Sequence, residues 1–202
     1  MRLFKIPLAP GYSRCKSYCF TAGNSISFFV CPSLSLPQIL QIMSGTPVVT
    51  MYTDGSSRGN PGPGGYGVIL MAGSHRKELS AGYRKTTNNR MELMAVIKGL
   101  EALRKPGTSV EIYSDSQYVV NAIEKGWLRT WLKTGFAGGK KNKDLWLEYH
   151  QQAIRHTIKF YWVRGHSTNP YNNRCDELAT AAADGSNLLV DEGYENEFAG
   201  NL

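Results

Sequence analysis

Acidic residues are absent from the opening stretch of this sequence: no Asp or Glu precedes Asp54, while Arg2, Lys5, Arg14 and Lys16 do. Cysteine is scarce as well. Cys15, Cys19, Cys31 and Cys175 form no CxxC pair, and no His stands near the first three, so the spacing fits no zinc site. A single thiol after residue 42 excludes an internal disulfide there and suits a reducing compartment. Apolar runs are short. The most apolar piece is Ile26–Cys31, whereas a membrane helix needs about 20 residues. No internal repeat is visible, which excludes solenoids and propellers.

What is present divides in two. Residues 1–42 alternate Ser, Pro and short apolar clusters without a helical or strand period. They are expected to be an N-terminal extension, disordered or not translated, because Met43 stands directly before Ser-Gly-Thr-Pro and the first convincing strand. An acid-free stretch with Arg and Ser also resembles an organelle transit peptide, which is the second reading beside a cytoplasmic protein. Residues 43–202 are expected to form one domain. The formal net charge is +7; of 23 basic residues four lie in the extension, so 19 face 16 acids in the domain, a net of +3. Basicity of this kind suggests a polyanionic partner, but the case must rest on where the domain's charges sit.

Periodicity predicts strands over Val48–Asp54, Gly64–Met71 and Arg76–Arg84, the last two joined as a hairpin near Gly73-Ser74. Leu93, Val96, Ile97, Leu100 and Leu103 make one apolar stripe, so Asn89–Leu103 reads as a helix stopped by Pro106-Gly107. A strand over Val110–Ser114, a helix over Gln117–Lys125, a helix over Asp144–Ile154, a strand over Ile158–Val163 and a helix near Asn173–Ala183 follow. Three strands first, then helices alternating with strands, imply an α/β fold: a five-stranded mixed sheet flanked by helices.

Four acids stand where chemistry is conceivable, and each has an ordinary explanation. Asp54 can start a turn with Gly55-Ser56. Glu92, three residues after Asn89, can complete a capping box, although the helical wheel sets it at the edge of the apolar stripe, where a bare carboxylate would be costly. Asp115, between Ser114 and Ser116, can cap the following helix. Asp176 can complement a helix dipole. Spacing alone does not bring them together. If they converge, a cluster of hard oxygen donors suits Mg²⁺ or Mn²⁺ and not zinc.

Thr53-Asp54-Gly55-Ser56-Ser57-Arg58-Gly59-Asn60-Pro61-Gly62-Pro63-Gly64-Gly65-Tyr66-Gly67 resembles the opening of bacterial type 1 ribonuclease H. So do the TTNNRMELMA stretch at Thr86–Ala95, Ser114-Asp115-Ser116-Gln117-Tyr118, and the WVRGH and NNRCDELA blocks between Trp162 and Ala179. The resemblance runs in order from about Val48 to about Tyr194. It implies the ribonuclease H-like fold and hydrolysis of the RNA strand of an RNA–DNA hybrid duplex by a monomeric enzyme.

The same resemblance puts Asp54, Glu92, Asp115 and Asp176 on the family's metal-binding carboxylates, for two Mg²⁺ ions with substrate bound, Mn²⁺ being possible. His166 falls on a loop histidine that assists proton transfer or product release. Asn60, Asn88, Asn89 and Gln117 match positions touching the hybrid's backbone, sugars and minor groove, where 2′-hydroxyls distinguish the strands. Thr87 matches a residue that holds a DNA phosphate. Residues 125–143 look like the family's basic protrusion: Lys125, Arg129, Lys133, Lys140, Lys141 and Lys143 occur without an acid, interleaved with Trp127, Trp131 and Phe136. Trp127, Trp131 and Lys133 are its expected substrate contacts.

The chain departs from the family pattern at Thr168, where a glycine is usual, at Asn173, where a glutamate is familiar, and at Phe136, where a tryptophan is common. The alternative is a catalytically silent hybrid-binding module, which predicts loss of at least one of the four acids. A metal-free ribonuclease working through two histidines would need a pair among His75, His150, His156 and His166, and no two share a motif. A DNA-cutting integrase of the same fold is opposed by the Asn-rich and Trp-rich blocks.

Overall fold

The computed structural model describes residues 21, 22, 25, 26, 48–165 and 167–199. The chain separates into two units, Met1–Gly45 and Thr46–Leu202. In the first, Thr21–Ala22 pairs antiparallel with Ser25–Ile26; the rest of the expected extension lies outside the described residues. The second unit holds strands β1 (Val49–Ser57), β2 (Gly62–Ala72), β3 (His75–Thr86), β4 (Ser109–Ser114) and β5 (Thr157–Trp162). Its helices are α1 (Asn88–Glu101), α2 (Gln117–Glu124), α3 (Trp127–Lys133), α4 (Lys143–Ala153), α5 (Pro170–Ala183) and α6 (Glu192–Ala199).

The strands form one mixed sheet in the order β3-β2-β1-β4-β5. β1, β2 and β3 are antiparallel neighbours, whereas β1, β4 and β5 run parallel. This is the expected five-stranded mixed sheet with flanking helices. The reason lies in alternation and periodicity. Met51 and Ile112 point from their strands into the same core that receives Leu93, Val96, Ile97 and Leu100 of α1, all fully buried. Burying such side chains is worth about 1.5–3 kcal/mol each. On the other face α5 approaches β2 and β3 so closely that a Cβ at Gly67 would collide with the carbonyl oxygen of Cys175, and one at Gly82 with that of Ala182.

Several boundaries differ from the sequence expectation. β1 continues past Asp54 because Gly55–Ser57 keep pairing with Gly64–Tyr66. α5 begins at Pro170 and not near Asn173: proline supplies a preset φ and lacks the N–H that would go unsatisfied, and Asn169 accepts from the N–H groups of Tyr171 and Asn172 at 3.0 and 3.2 Å. Part of the basic segment is helical, as α3. Leu189 bridges Tyr83 in parallel and α6 follows, a C-terminal segment that periodicity did not reveal.

Candidate active site

Parallel pairing sets the site. Thr53 of β1 is opposite Ser114 of β4, and Ser114 is opposite Trp162 of β5. Asp54 and Asp115, each one residue further on, therefore stand side by side where the parallel pairing of β1 and β4 ends, the region in which open α/β sheets bind ligands. Asp54 is buried, 8% exposed. The Gly55 N–H donates to its Oδ1 at 2.7 Å. Gly55 has no room for a side chain, since a Cβ would strike the backbone of Met91 and Glu92. That close approach presses the start of α1 against β1 and delivers Glu92.

The ordinary explanations of three acids fail. The N-cap position of α1 is Thr87, without a side-chain cap, so Asn89 and Glu92 form no capping box. Glu92 instead accepts from Asn88 Nδ2 at 2.8 Å and from Ser116 Oγ. Ser116, not Asp115, caps α2, its Oγ accepting from Val119 N at 3.2 Å. Asp176 lies in the second turn of α5, whose first turn contains no acid. The Asp115 backbone carbonyl accepts from Trp162 Nε1 at 3.1 Å, and its carboxylate Oδ2 from Asn172 Nδ2 at 3.3 Å.

Asp54 lies within electrostatic reach of the other three acids. Burial, then the charges of Asp115, Asp176 and Glu92, push the Asp54 carboxyl up to about 8 against the pull of the Gly55 N–H. Burial and the Asp115 charge push Glu92 up to about 7, against the hydrogen bonds from Ser116 and Asn88. Such shifts mark carboxyls withdrawn from water beside other carboxylates. Among the described residues, no group of three or more His, Cys, Asp or Glu side chains is close enough together to hold a metal ion as it stands. The donors are carboxylate oxygens throughout, which suits a hard divalent cation.

Of the other expected residues, Asn88 touches an acid, Glu92, and a neighbouring cleft gathers four more without any of the acids in its lining. Asn60 Oδ1 accepts from Asn88 N at 3.3 Å, joining the β1–β2 loop to α1. Asn60, Thr87 and Asn89 line a cleft of about 530 Å³ together with Trp131, Lys140 and Lys141. Trp131 packs at 5.7 Å edge-on to buried Trp146 and presents its remaining surface to the cleft. Trp127 is 44% exposed, with Lys125 Nζ 5.2 Å from its ring centroid. Phe136 is buried against Trp131. Lys133 is exposed on α3 and does not line the cleft. Gln117 is exposed in a second, smaller cleft beside Trp162. His166 lies outside the described residues. Next to it, Ser167 Oγ donates to Arg164 O at 2.7 Å, and Asn173 Nδ2 donates to Ser167 O at 2.9 Å, so the unusual Asn173 braces this loop.

Two features went unread in the sequence. Arg90, 1% exposed, donates to Asp191 at 2.7 Å and to Asp144 at 2.6 and 2.9 Å, tying α1 to α4 and to the C-terminal segment. Asn172 reaches Asp115. The first links residues 101 apart and has no local signature; the second lay within the NNRCDELA block, where its neighbour Asp176 drew the functional reading.

Carboxylates gathered beside two parallel strands, with a cleft lined by Trp131, Lys140 and Lys141 close by, fit an α/β protein of the nuclease class. The chain belongs to the RNase H family, whose family model matches residues 46–184. It is 56% identical over 150 residues to "Ribonuclease H" of Syntrophus aciditrophicus, covering 72% of this chain and 86% of that protein. With "Ribonuclease H" of Lachnoclostridium phytofermentans the identity is 55% over 157 residues, 73% of this chain and 99% of the relative. Among solved structures, LC9-RNase H1, a type 1 RNase H with the type 2 active-site motif, matches with TM-score 0.64 and 34% identity over 77% of this chain and 82% of that one. LC11-RNase H1, solved in complex with an RNA/DNA hybrid, matches with TM-score 0.53 and 27% identity over 67% and 96%. Among the described residues no helix is long and apolar enough to cross a membrane.

Proposed function

We propose that this enzyme cuts the RNA strand of RNA–DNA hybrids internally, leaving 5′-phosphate and 3′-hydroxyl ends, with two divalent cations held by Asp54, Glu92, Asp115 and Asp176. The observation that carries the reading is geometric: strand register sets Asp54 beside Asp115, and the close approach of Gly55 to the start of α1 brings Glu92 to the same place. Mg²⁺, or Mn²⁺, would supply Lewis-acid charge to the attacking water and the departing 3′ oxygen. Asp54 and Glu92, driven toward protonation by burial and then by neighbouring carboxylates, gain most from such charge. Asn60, Asn88, Asn89 and Gln117 read the sugar edges of the hybrid, Thr87 holds a DNA phosphate, and Trp127, Trp131 and Lys133 with the rest of the ridge grip the flanking duplex. His166 moves protons or helps product leave.

One polypeptide carries all these parts, which supports a monomer. The free, buried Cys175 fits a reducing cytoplasm. The test uses a labelled hybrid and matched RNA and DNA duplexes, each with Mg²⁺ or EDTA. Cleavage confined to the RNA of the hybrid, abolished by EDTA and by Asp54→Asn or Asp115→Asn in folded protein, is expected. Cleavage that survives EDTA, or near-normal rates from either variant, would sink the reading.

A further inference from the structure

We infer that Asn172 is a positioning residue for the reaction: its side-chain amide fixes the Asp115 carboxylate, and that contact, not packing, is what its buried place serves. The inference rests on the proposed role of Asp115. Asn172 lies in the first turn of α5, only 1% exposed. Its backbone N–H is tied to Asn169 Oδ1 at 3.2 Å, so the helix start that carries it is pinned. From there Nδ2 donates to Asp115 Oδ2 at 3.3 Å, while Oδ1 is buried without a hydrogen-bond partner.

An amide buried with an unmatched acceptor works against folding. An apolar side chain of similar shape would serve a core better, so stability does not account for the residue. Asp115 does. Its carbonyl is held by the Trp162 indole N–H, and Gly165 closes on the carboxylate so tightly that a Cβ there would collide with Oδ2. With Oδ2 held by Asn172 and approached by Gly165, Asp115 would offer Oδ1 to a cation. Orienting a ligand through its second oxygen is how outer-shell partners set affinity, and their loss commonly costs about 10–100-fold.

The test compares wild type with Asn172→Ala and Asn172→Leu, the latter preserving approximate shape without a polar group. Mn²⁺ binding is followed by calorimetry without substrate, urea unfolding in EDTA, and steady-state cleavage of a hybrid. Expected are Mn²⁺ affinity weaker by about 10-fold or more, kcat reduced with KM unchanged, and unfolding no easier than in wild type. Folded variants with wild-type Mn²⁺ affinity and kcat overturn the proposal. So does loss of stability in both variants, which would assign the residue to the core. If wild type itself neither binds Mn²⁺ nor cuts the hybrid, the functional reading fails first; if it does both and the variants match it, only the role of Asn172 falls.

Discussion

Asp54 and Glu92 give the site a pH signature of their own. Both carboxyls have folded-state pKa values above those of an unfolded chain, about 8 and about 7. A raised pKa contributes stability that is present below the unfolded value, near 4, and is lost as pH rises through the folded value. In EDTA, the two groups therefore erode the fold between about pH 4 and pH 8. Asp54→Asn removes the larger part. Its melting temperature is expected to exceed that of wild type by a margin that widens across this window, and added Mg²⁺ should restore wild type more than the variant. Calorimetric scans at three pH values check this; a margin constant with pH would contradict it. At this scale the sequence was partly legible. Glu92 and Asp115 took their metal-binding reading from blocks that resemble the family, but their local explanations could be discarded only once Thr87 and Ser116 occupied the cap positions. Asn172 was illegible because a polar residue near a helix start looks like any surface asparagine.

Among the elements, α1 is held by more than its apolar stripe. Arg90 joins it to Asp144 at the start of α4 and to Asp191, which also accepts from Thr86 Oγ1 at 2.6 Å and from Tyr194 N at 3.3 Å. A buried arginine between two acids is costly to disturb. Removing one partner of such a pair typically costs about 3–5 kcal/mol. Asp191→Ala is expected to lower the urea midpoint accordingly, and since Thr87 and Asn89 of the cleft adjoin this anchor, to raise KM as well. An unchanged midpoint would show that Asp144 alone suffices. The element boundaries explain why sequence reading stopped short here. The stripe of α1 is periodic and was found to within two residues at either end, whereas the Arg90 clamp depends on a segment 101 residues away that has no strong period of its own.

For the molecule as a whole, charge placement matters more than total charge. The domain's net of +3 is modest, yet Lys140 and Lys141 border the cleft that also holds Asn60 and Thr87. Binding of a hybrid should weaken steeply with salt, because each phosphate contact releases counterions. Lys140→Ala and Lys141→Ala are each expected to reduce the slope of log affinity against log salt by about 1, raising KM while kcat at saturation persists. A slope identical to wild type would place these lysines off the duplex. A mixed sheet covered by helices followed from the run of three strands and then alternation, so fold class was readable from pattern alone; the strand order and the convergence of the acids were not, because they are properties of pairing and register.

Leu189 has one more consequence. β3 is an outer strand of the sheet, and Leu189 takes up part of its free backbone, donating to Gly82 O at 2.8 Å and accepting from Arg84 N at 2.9 Å. The remaining rim carries Arg76, Lys77 and Glu78. A rim that is partly occupied and otherwise charged is a poor template for a stray strand, so this edge of the sheet resists edge-to-edge pairing even when crowded.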